Sequence, residues 1–242
     1  MNLLAAVMLV ALVPAPAAPE YVALGDSYAA GLGAERESCG RSPAAHPRLY
    51  AESRGLALVF AACAGAETAE VERQAERITR RTSLVTITVG GNDAGFTDVI
   101  TTCVLRSDRA CERRVGESER FVRDELPGRL DALNAAVRDR TSAHVVVLGY
   151  PHLFAPEGAC VLSEDKRAAL NRAADLLDEV LRARAEAAGF TFADVRGQFA
   201  EHGVCSDDPW INDLTLPVDY SYHPNAAGHR HGYLPALTRA TA

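Results

Sequence analysis

Five short apolar runs, separated by longer stretches with helical periodicity, set the strongest limit on what this chain can fold into. They are YVALG (21–25), LALVF (56–60), SLVTITVGG (83–91), HVVVLGY (144–150) and the weaker, alternating FTFADV (190–195). Continuous hydrophobicity suits strands covered on both faces, as inside a parallel sheet. Between the runs, Leu170, Ala174, Leu177, Leu181 and Ala185 recur every three to four residues and define a helix from about Glu164 to Ala188. Ser163 stands at its N-cap, and Gly189 where a terminating glycine belongs. A second helix is expected over roughly 117–140, broken near Pro127, and a last one follows Pro224, with that proline in its first turn. Residues 201–222 have no period and read as a long surface loop. Strand alternating with helix predicts an α/β fold: a three-layer α/β/α sandwich around a parallel sheet, with right-handed crossovers. With 242 residues, 48% of them hydrophobic, and no repeat or low-complexity linker, the expectation is one domain over 19–242.

The first residues differ from the rest. Leu3 to Val13 are eleven consecutive apolar residues, followed by PAPAAP. That run is too short to span a bilayer, and Ala15, Ala17 and Ala18 suit a signal peptidase. No Lys or Arg precedes Arg36, which departs from an ordinary secretory leader. A signal peptide over 1–18 and an extracellular location are nevertheless expected, because the prolines would break a buried strand or helix. Six cysteines, Cys39, Cys63, Cys103, Cys111, Cys160 and Cys205, fit an oxidising compartment. None has zinc-ligand spacing, so no metal is expected, and no cofactor. Fifteen pairings are possible; Cys103 with Cys111 closes a local loop, and sequential pairing of the other four is simplest. The net charge of −7, from 32 acidic and 25 basic residues without a Lys/Arg block, argues against nucleic-acid binding. Neither stable membrane insertion nor a partner chain is expected, leaving a monomer that acts on a small-molecule or lipid ester.

In a parallel α/β sheet, ligands bind outside the carboxyl ends of the strands. Ser27 follows the first strand, Gly65 the second and Asn92 the third. Acyl transfer needs a hydroxyl, a base to take its proton and donors for an oxyanion. Each group also has a plainer reading: Gly-Asp-Ser as a common turn, Gly65 as a turn glycine, Asn92 as an Asx-turn. GDSYAAG is not the G-x-S-x-G elbow, since Ala29 replaces the second glycine. Asp93 reads as a cap for the helix that follows it. Of seven histidines, His144 opens a strand, His46 and His152 lie beside prolines in loops, and His229 and His231 sit on different helix faces. His202 carries no signal. His223 stands where the long loop ends, held by Pro224, and is the candidate base.

Taken together, GDSY, AGAET, GGND and YHPN resemble, in order, the four blocks of the SGNH or GDSL-type hydrolases. The match runs from Ser27 to His223, nearly the whole mature chain. The resemblance implies the flavodoxin-like fold of that family, with Ser27 as nucleophile and His223 as general base. It implies an oxyanion hole from the Ser27 and Gly65 amides and the Asn92 side chain. The cysteine layout resembles that of secreted actinobacterial members, implying Cys39–Cys63, Cys103–Cys111 and Cys160–Cys205. Many members carry an acid three residues before the histidine; here that position is Tyr220, and Asp219 is one residue too far back. Other members orient the imidazole through a backbone carbonyl two residues earlier, here Ser221, which is the favoured reading over an Asp219 triad. The implied activity is a secreted serine esterase or lipase working through an acyl-enzyme. Alternatives are a phospholipase A, a carbohydrate acetyl esterase, or a noncatalytic extracellular binding module. An unperturbed imidazole would lose its function as base below pH ~6.5. Trp210 and its apolar neighbours in WINDLTLPV (210–218) are expected to pack the loop or to line an acyl groove.

Overall fold

A computed structural model describes residues 18–34 and 37–242. The leader expected over 1–18 lies, except for Ala18, outside the described residues. Strands β1 (Glu20–Gly25), β2 (Ala57–Phe60), β3 (Thr82–Thr88), β4 (His144–Leu148) and β5 (Thr191–Ala193) pair in the order β2-β1-β3-β4-β5. Every pairing is parallel, with Val22 of β1 opposite both Val59 and Val85, and Val85 opposite Val145. Three of the continuous apolar runs form β1, β3 and β4, which are buried almost throughout, whereas LALVF forms the partly exposed edge strand β2 and the alternating run the half-buried edge strand β5. Burial on both faces is what removes the polar positions.

The helices are α1 (Ser27–Ala30), α2 (His46–Arg54), α3 (Thr68–Gln74), α4 (Phe96–Leu105), α5 (Asp108–Asp124), α6 (Leu126–Arg138), α7 (Glu164–Ala187), α8 (Arg196–Phe199) and α9 (Leu234–Ala240). Helices α2 and α9 pack together as one layer, and α3, α5, α6 and α7 pack together as the other. The Ser163 hydroxyl caps α7 by accepting from the Lys166 amide. The helical stretch expected over 117–140 begins earlier, at Asp108, where the Ser107 hydroxyl accepts from the Ala110 amide. Its first turns, DRACERRVG, are too polar for their periodicity to stand out. The break falls at Glu125, because Pro127 lacks the amide hydrogen needed to continue α5 and instead opens α6.

Two local expectations are corrected. Pro224 is not in the first turn of the last helix; it bridges antiparallel to Ile211. Asn225 is the cap, its side-chain oxygen accepting from the Gly228 amide at 3.1 Å, and a π-helical turn over Gly228–Tyr233 leads into α9. His46 is not in a loop either. It opens α2, fully buried, with its Nδ1 3.2 Å from Nδ1 of His229. The His46 amide donates to that same His229 nitrogen at 3.4 Å, so His229 Nδ1 is the acceptor and His46 Nδ1 carries the hydrogen. Burial holds both imidazoles well below their ordinary pKa, His229 at about 3.

The disulfides are Cys39–Cys63, Cys103–Cys111 and Cys160–Cys205. The first braces the turn after β2, where the Ala64 amide donates to the Cys39 carbonyl at 2.8 Å. The second staples α4 to α5, and the third ties the loop after β4 to the loop after α8. Among the described residues, no helix is long and apolar enough to cross a membrane. Cys160–Cys205 closes the longest loop, with a sequence separation of 45. Its removal by Cys160→Ala/Cys205→Ala is expected to lower unfolding free energy by about 4 kcal/mol in urea titration, as loop-closure entropy requires. A loss below ~1 kcal/mol would show that the unfolded chain is not constrained by it.

Candidate active site

The chain leaves β1 toward β2 on one side while β3 lies on the other, so the carboxyl ends of β1 and β3 flank the switch in strand order. Gly25 ends β1 at a positive φ of 132°, and a Cβ there would sit 2.3 Å from the Thr88 carbonyl oxygen of β3. Asp26 then caps α1, its carboxylate accepting from the Tyr28 amide at 2.9 Å. The same carboxylate accepts from the Tyr150 hydroxyl, which itself accepts from the Gly91 amide at 3.2 Å. One carboxyl and one phenol thereby join the turn after β1 to the turn after β3. Burial outweighs those hydrogen bonds and pushes the Asp26 carboxyl up to about 7.

Ser27, the first residue of α1, directs its Oγ at Nε2 of His223, 2.8 Å away. On the far side of that ring, Nδ1 lies 2.9 Å from the Ser221 carbonyl oxygen. A carbonyl can only accept, so Nδ1 carries the hydrogen and Nε2 is the bare nitrogen that accepts from the serine hydroxyl. Burial holds the His223 imidazole down to about 4, against weaker opposing contributions from the Ser221 carbonyl and the Asp219 charge. This corrects the expectation of a ring titrating near its free value. Asp219 lies close enough to act on the ring by its charge, while the ring's hydrogen bond goes to Ser221.

Holding an imidazole 196 residues from the serine needs a firm loop. Tyr222 adopts φ 61°, a left-handed conformation costing a non-glycine residue on the order of 1 kcal/mol. Five hydrogen bonds fix the loop around it. The Tyr28 hydroxyl donates to the Tyr222 carbonyl at 2.7 Å, and the Tyr222 amide donates to the Asn212 carbonyl at 2.9 Å. The Asn212 amide donates to the His223 carbonyl at 3.0 Å, and its side-chain amide donates to Gly33 and Tyr220 carbonyls at 2.7 and 3.2 Å. Gly33 allows this approach, since a Cβ would sit 2.3 Å from the Pro224 oxygen. Tyr28 and Phe96 also pack on the His223 ring, with centroids at 5.2 and 5.9 Å. Sequence reasoning missed Tyr28, Tyr150 and Asn212, whose residue types announce no chemistry. The available signals were the position of Tyr28 beside Ser27 and the single amide inside the largely apolar WINDLTLPV.

Gly65 and Asn92 line the same groove as Ser27 and His223. The Asn92 side-chain amide donates one hydrogen to the Ala66 carbonyl at 3.0 Å, which fixes the carboxamide beside the Gly65 turn and leaves its second hydrogen unused by that bond. Asp93 is corrected: it holds Thr68, the first residue of α3, whose N-cap is Glu67, and does not cap the helix that follows it. Its carboxylate accepts from the Thr68 amide at 3.0 Å and hydroxyl at 2.7 Å, with Arg129 at 3.4 Å. The groove measures about 580 Å³, with Phe96, Ile100, Val104 and Leu105 of α4 along it together with Leu214 and Val218. A narrower cavity of about 70 Å³ also starts at Ser27 and runs among Val99, Val122, Leu170 and Leu177. Trp210 takes the packing role, stacked on His202 at 3.5 Å and set edge-on to Phe199. Among the described residues, no group of three His, Cys, Asp or Glu gathers as a metal site. A hydroxyl hydrogen-bonded to a neutral imidazole, beside amide donors and an apolar groove, is equipped for attack on an acyl carbonyl.

Comparison with known proteins agrees with that chemistry. Residues 23–231 match the model of the GDSL-like Lipase/Acylhydrolase family. The chain is 47% identical to Lipase 1 of Streptomyces coelicolor, over 93% of this chain and 87% of that protein. Among solved structures, phospholipase A1 from Streptomyces albidoflavus superposes with a TM-score of 0.89 at 45% identity, covering 93% of this chain and 100% of that one. An extracellular lipase from Streptomyces rimosus gives the same TM-score of 0.89 and identity of 45%, covering 92% and 100%.

With its folded-state pKa lowered, His223 is neutral and able to accept a proton at every pH above about 4. An NMR titration following its Cε1–H resonance is expected to find a midpoint near 4; a midpoint near 6.5, the solvated value, would show the ring open to water.

Proposed function

The chain belongs to the GDSL-like lipase/acylhydrolase family and is a carboxylic ester hydrolase, and we propose the following roles for its residues. The Ser27 Oγ attacks the ester carbonyl while His223 Nε2 takes the hydroxyl proton. The tetrahedral oxyanion is met by the Ser27 and Gly65 amides and the Asn92 side chain, each donor worth roughly 3–4 kcal/mol of transition-state stabilisation. Collapse expels the alcohol, protonated by His223, and leaves an acyl-Ser27 ester. Water, deprotonated by the same imidazole, then releases the acid. The observation that carries this reading is the 2.8 Å Ser27–His223 hydrogen bond, with the opposite ring nitrogen held on the Ser221 carbonyl. A noncatalytic binding module is set aside, because the relatives are lipases and all four chemical positions are present.

The substrate we propose is an acyl lipid, because the groove beside Ser27 is lined by aliphatic and aromatic side chains and offers little to a sugar. A phospholipid cleaved in the manner of a phospholipase A is the second reading, favoured by the likeness to the Streptomyces albidoflavus enzyme. We also propose secretion, supported by three disulfides, by the extracellular Streptomyces rimosus relative and by the apolar leader expected from the sequence.

Hydrolysis of a p-nitrophenyl ester series from acetate to palmitate tests the reading. Wild type is expected to prefer the longer acyl chains, and Ser27→Ala to fall by roughly 10⁶-fold, as for loss of a nucleophile. Ser27→Ala activity within tenfold of wild type would remove Ser27 from the chemistry. Asp219→Asn is expected to keep kcat within a few-fold, because a backbone carbonyl already fixes the tautomer. Loss of a triad acid costs ~10⁴-fold, so a loss approaching that size would make Asp219 the orienting group.

A further inference from the structure

Among the described residues, the large apolar side chains left exposed are Leu105, Val161, Leu214, Leu216 and Val218. Single exposed apolar residues are ordinary, but four of these five gather at one place. Leu105, Leu214 and Val218 line the groove beside Ser27, and Leu216 lies between the latter two in the chain, 89% exposed and outside the groove lining. The charges on the loop that carries three of them are one-sided, while Leu105 is followed by Arg106. Between Arg196 and Arg230 the chain carries Glu201, Asp207, Asp208, Asp213 and Asp219 and no Lys or Arg, and Asp213 and Asp219 bracket the apolar positions directly. A surface of this kind gains by burial in an apolar phase and is repelled by a negatively charged one.

We infer that the rim formed by Leu105, Leu214, Leu216 and Val218 is the surface by which the protein docks onto a lipid interface of zero net charge. This rests on the acyl-lipid reading above and adds where and on what kind of surface the substrate is met. The groove opens at this rim, so an acyl chain passes from the aggregate to Ser27 without its apolar surface crossing water. A second copy of the chain seated here would cover the mouth through which substrate enters, which favours lipid as the occupant. The acidic loop then excludes anionic interfaces, where a basic rim would have favoured them.

The test uses Ser27→Ala protein, so that vesicles stay intact during sedimentation with phosphatidylcholine or phosphatidylglycerol vesicles. Binding to phosphatidylcholine is expected to exceed binding to phosphatidylglycerol. Adding Leu216→Asp is expected to lower the phosphatidylcholine partition coefficient by about tenfold or more, given the transfer energy of a leucine side chain, while Leu216→Phe retains it. In the active protein, Leu216→Asp is expected to keep kcat/KM on soluble p-nitrophenyl butyrate within about twofold and to lose rate only on vesicle-borne ester. Equal partitioning with and without Leu216→Asp, or tighter binding to phosphatidylglycerol, would overturn the inference. So would a wild-type dimer in sedimentation velocity that Leu216→Asp dissociates, since the rim would then belong to a second copy. Failure of wild type on the soluble ester would instead overturn the catalytic reading, so the two are distinguishable.

Discussion

The closeness of β1 and β3 at their carboxyl ends governs the site. The two strands stay in register to Gly25 opposite Thr88, and only a residue without a Cβ can end β1 so near the Thr88 carbonyl. That closeness puts the turn bearing Ser27 against the turn bearing Asn92. Tyr150, arriving from the end of β4, locks the two together through Asp26 and the Gly91 amide. Three consecutive positions of a parallel sheet therefore act as one rigid base, and Ser27 and the Asn92 turn are set by backbone pairing more than by flexible side chains. Sites held by strand ends in this way lose little freedom when substrate arrives.

His223 comes from the opposite kind of structure, a long loop with little regular hydrogen bonding. Its stiffness is borrowed. Asn212 supplies three donor hydrogen bonds and one acceptor that tie the loop to itself and to Gly33, and Tyr28 clamps the strained Tyr222 carbonyl. Tyr28 directly follows the serine in the chain, so one short helix carries both the hydroxyl and the residue that positions the imidazole facing it. The Ser221 carbonyl sets the tautomer, and burial keeps the ring neutral. In the mechanism we propose, the imidazolium is thus less favoured than beside a carboxylate, while the neutral ring stays available over a wide pH range.

Much of this was legible from residue order alone. The apolar runs, the glycine-bounded strand ends and the four chemical blocks gave the sheet and its rim, because burial on both faces leaves a continuous signature and turns leave glycines. The cysteine pairs followed from resemblance. What the sequence hid were pairings at long range between unremarkable side chains. Asp93 faces Thr68 across the rim, His46 meets His229 from the two ends of the chain, and Asn212 sits among apolar neighbours while serving polar backbone. In each case local pattern offered a nearer partner, a following helix or a loop proline, and tertiary packing chose another. The depressed pKa of His223 was hidden for the same reason, since burial of a ring is a property of everything around it.

The buried titratable groups have a consequence for folding equilibria. His46, His223 and His229 are held below the ordinary imidazole pKa, so their stabilising contribution is complete above about pH 6.5 and fades as acid protonates the unfolded chain. Asp26 and Asp178 run the other way: burial raises their carboxyls, so the native fold binds protons that an unfolded aspartate releases above about pH 4. Each unmatched proton tilts the unfolding free energy by about 1.4 kcal/mol per pH unit. Across mildly acidic conditions the two carboxyls take up protons in the native state as the three imidazoles do in the denatured one. The two effects oppose one another, so the interior responds to acid less steeply than its three buried imidazoles alone would.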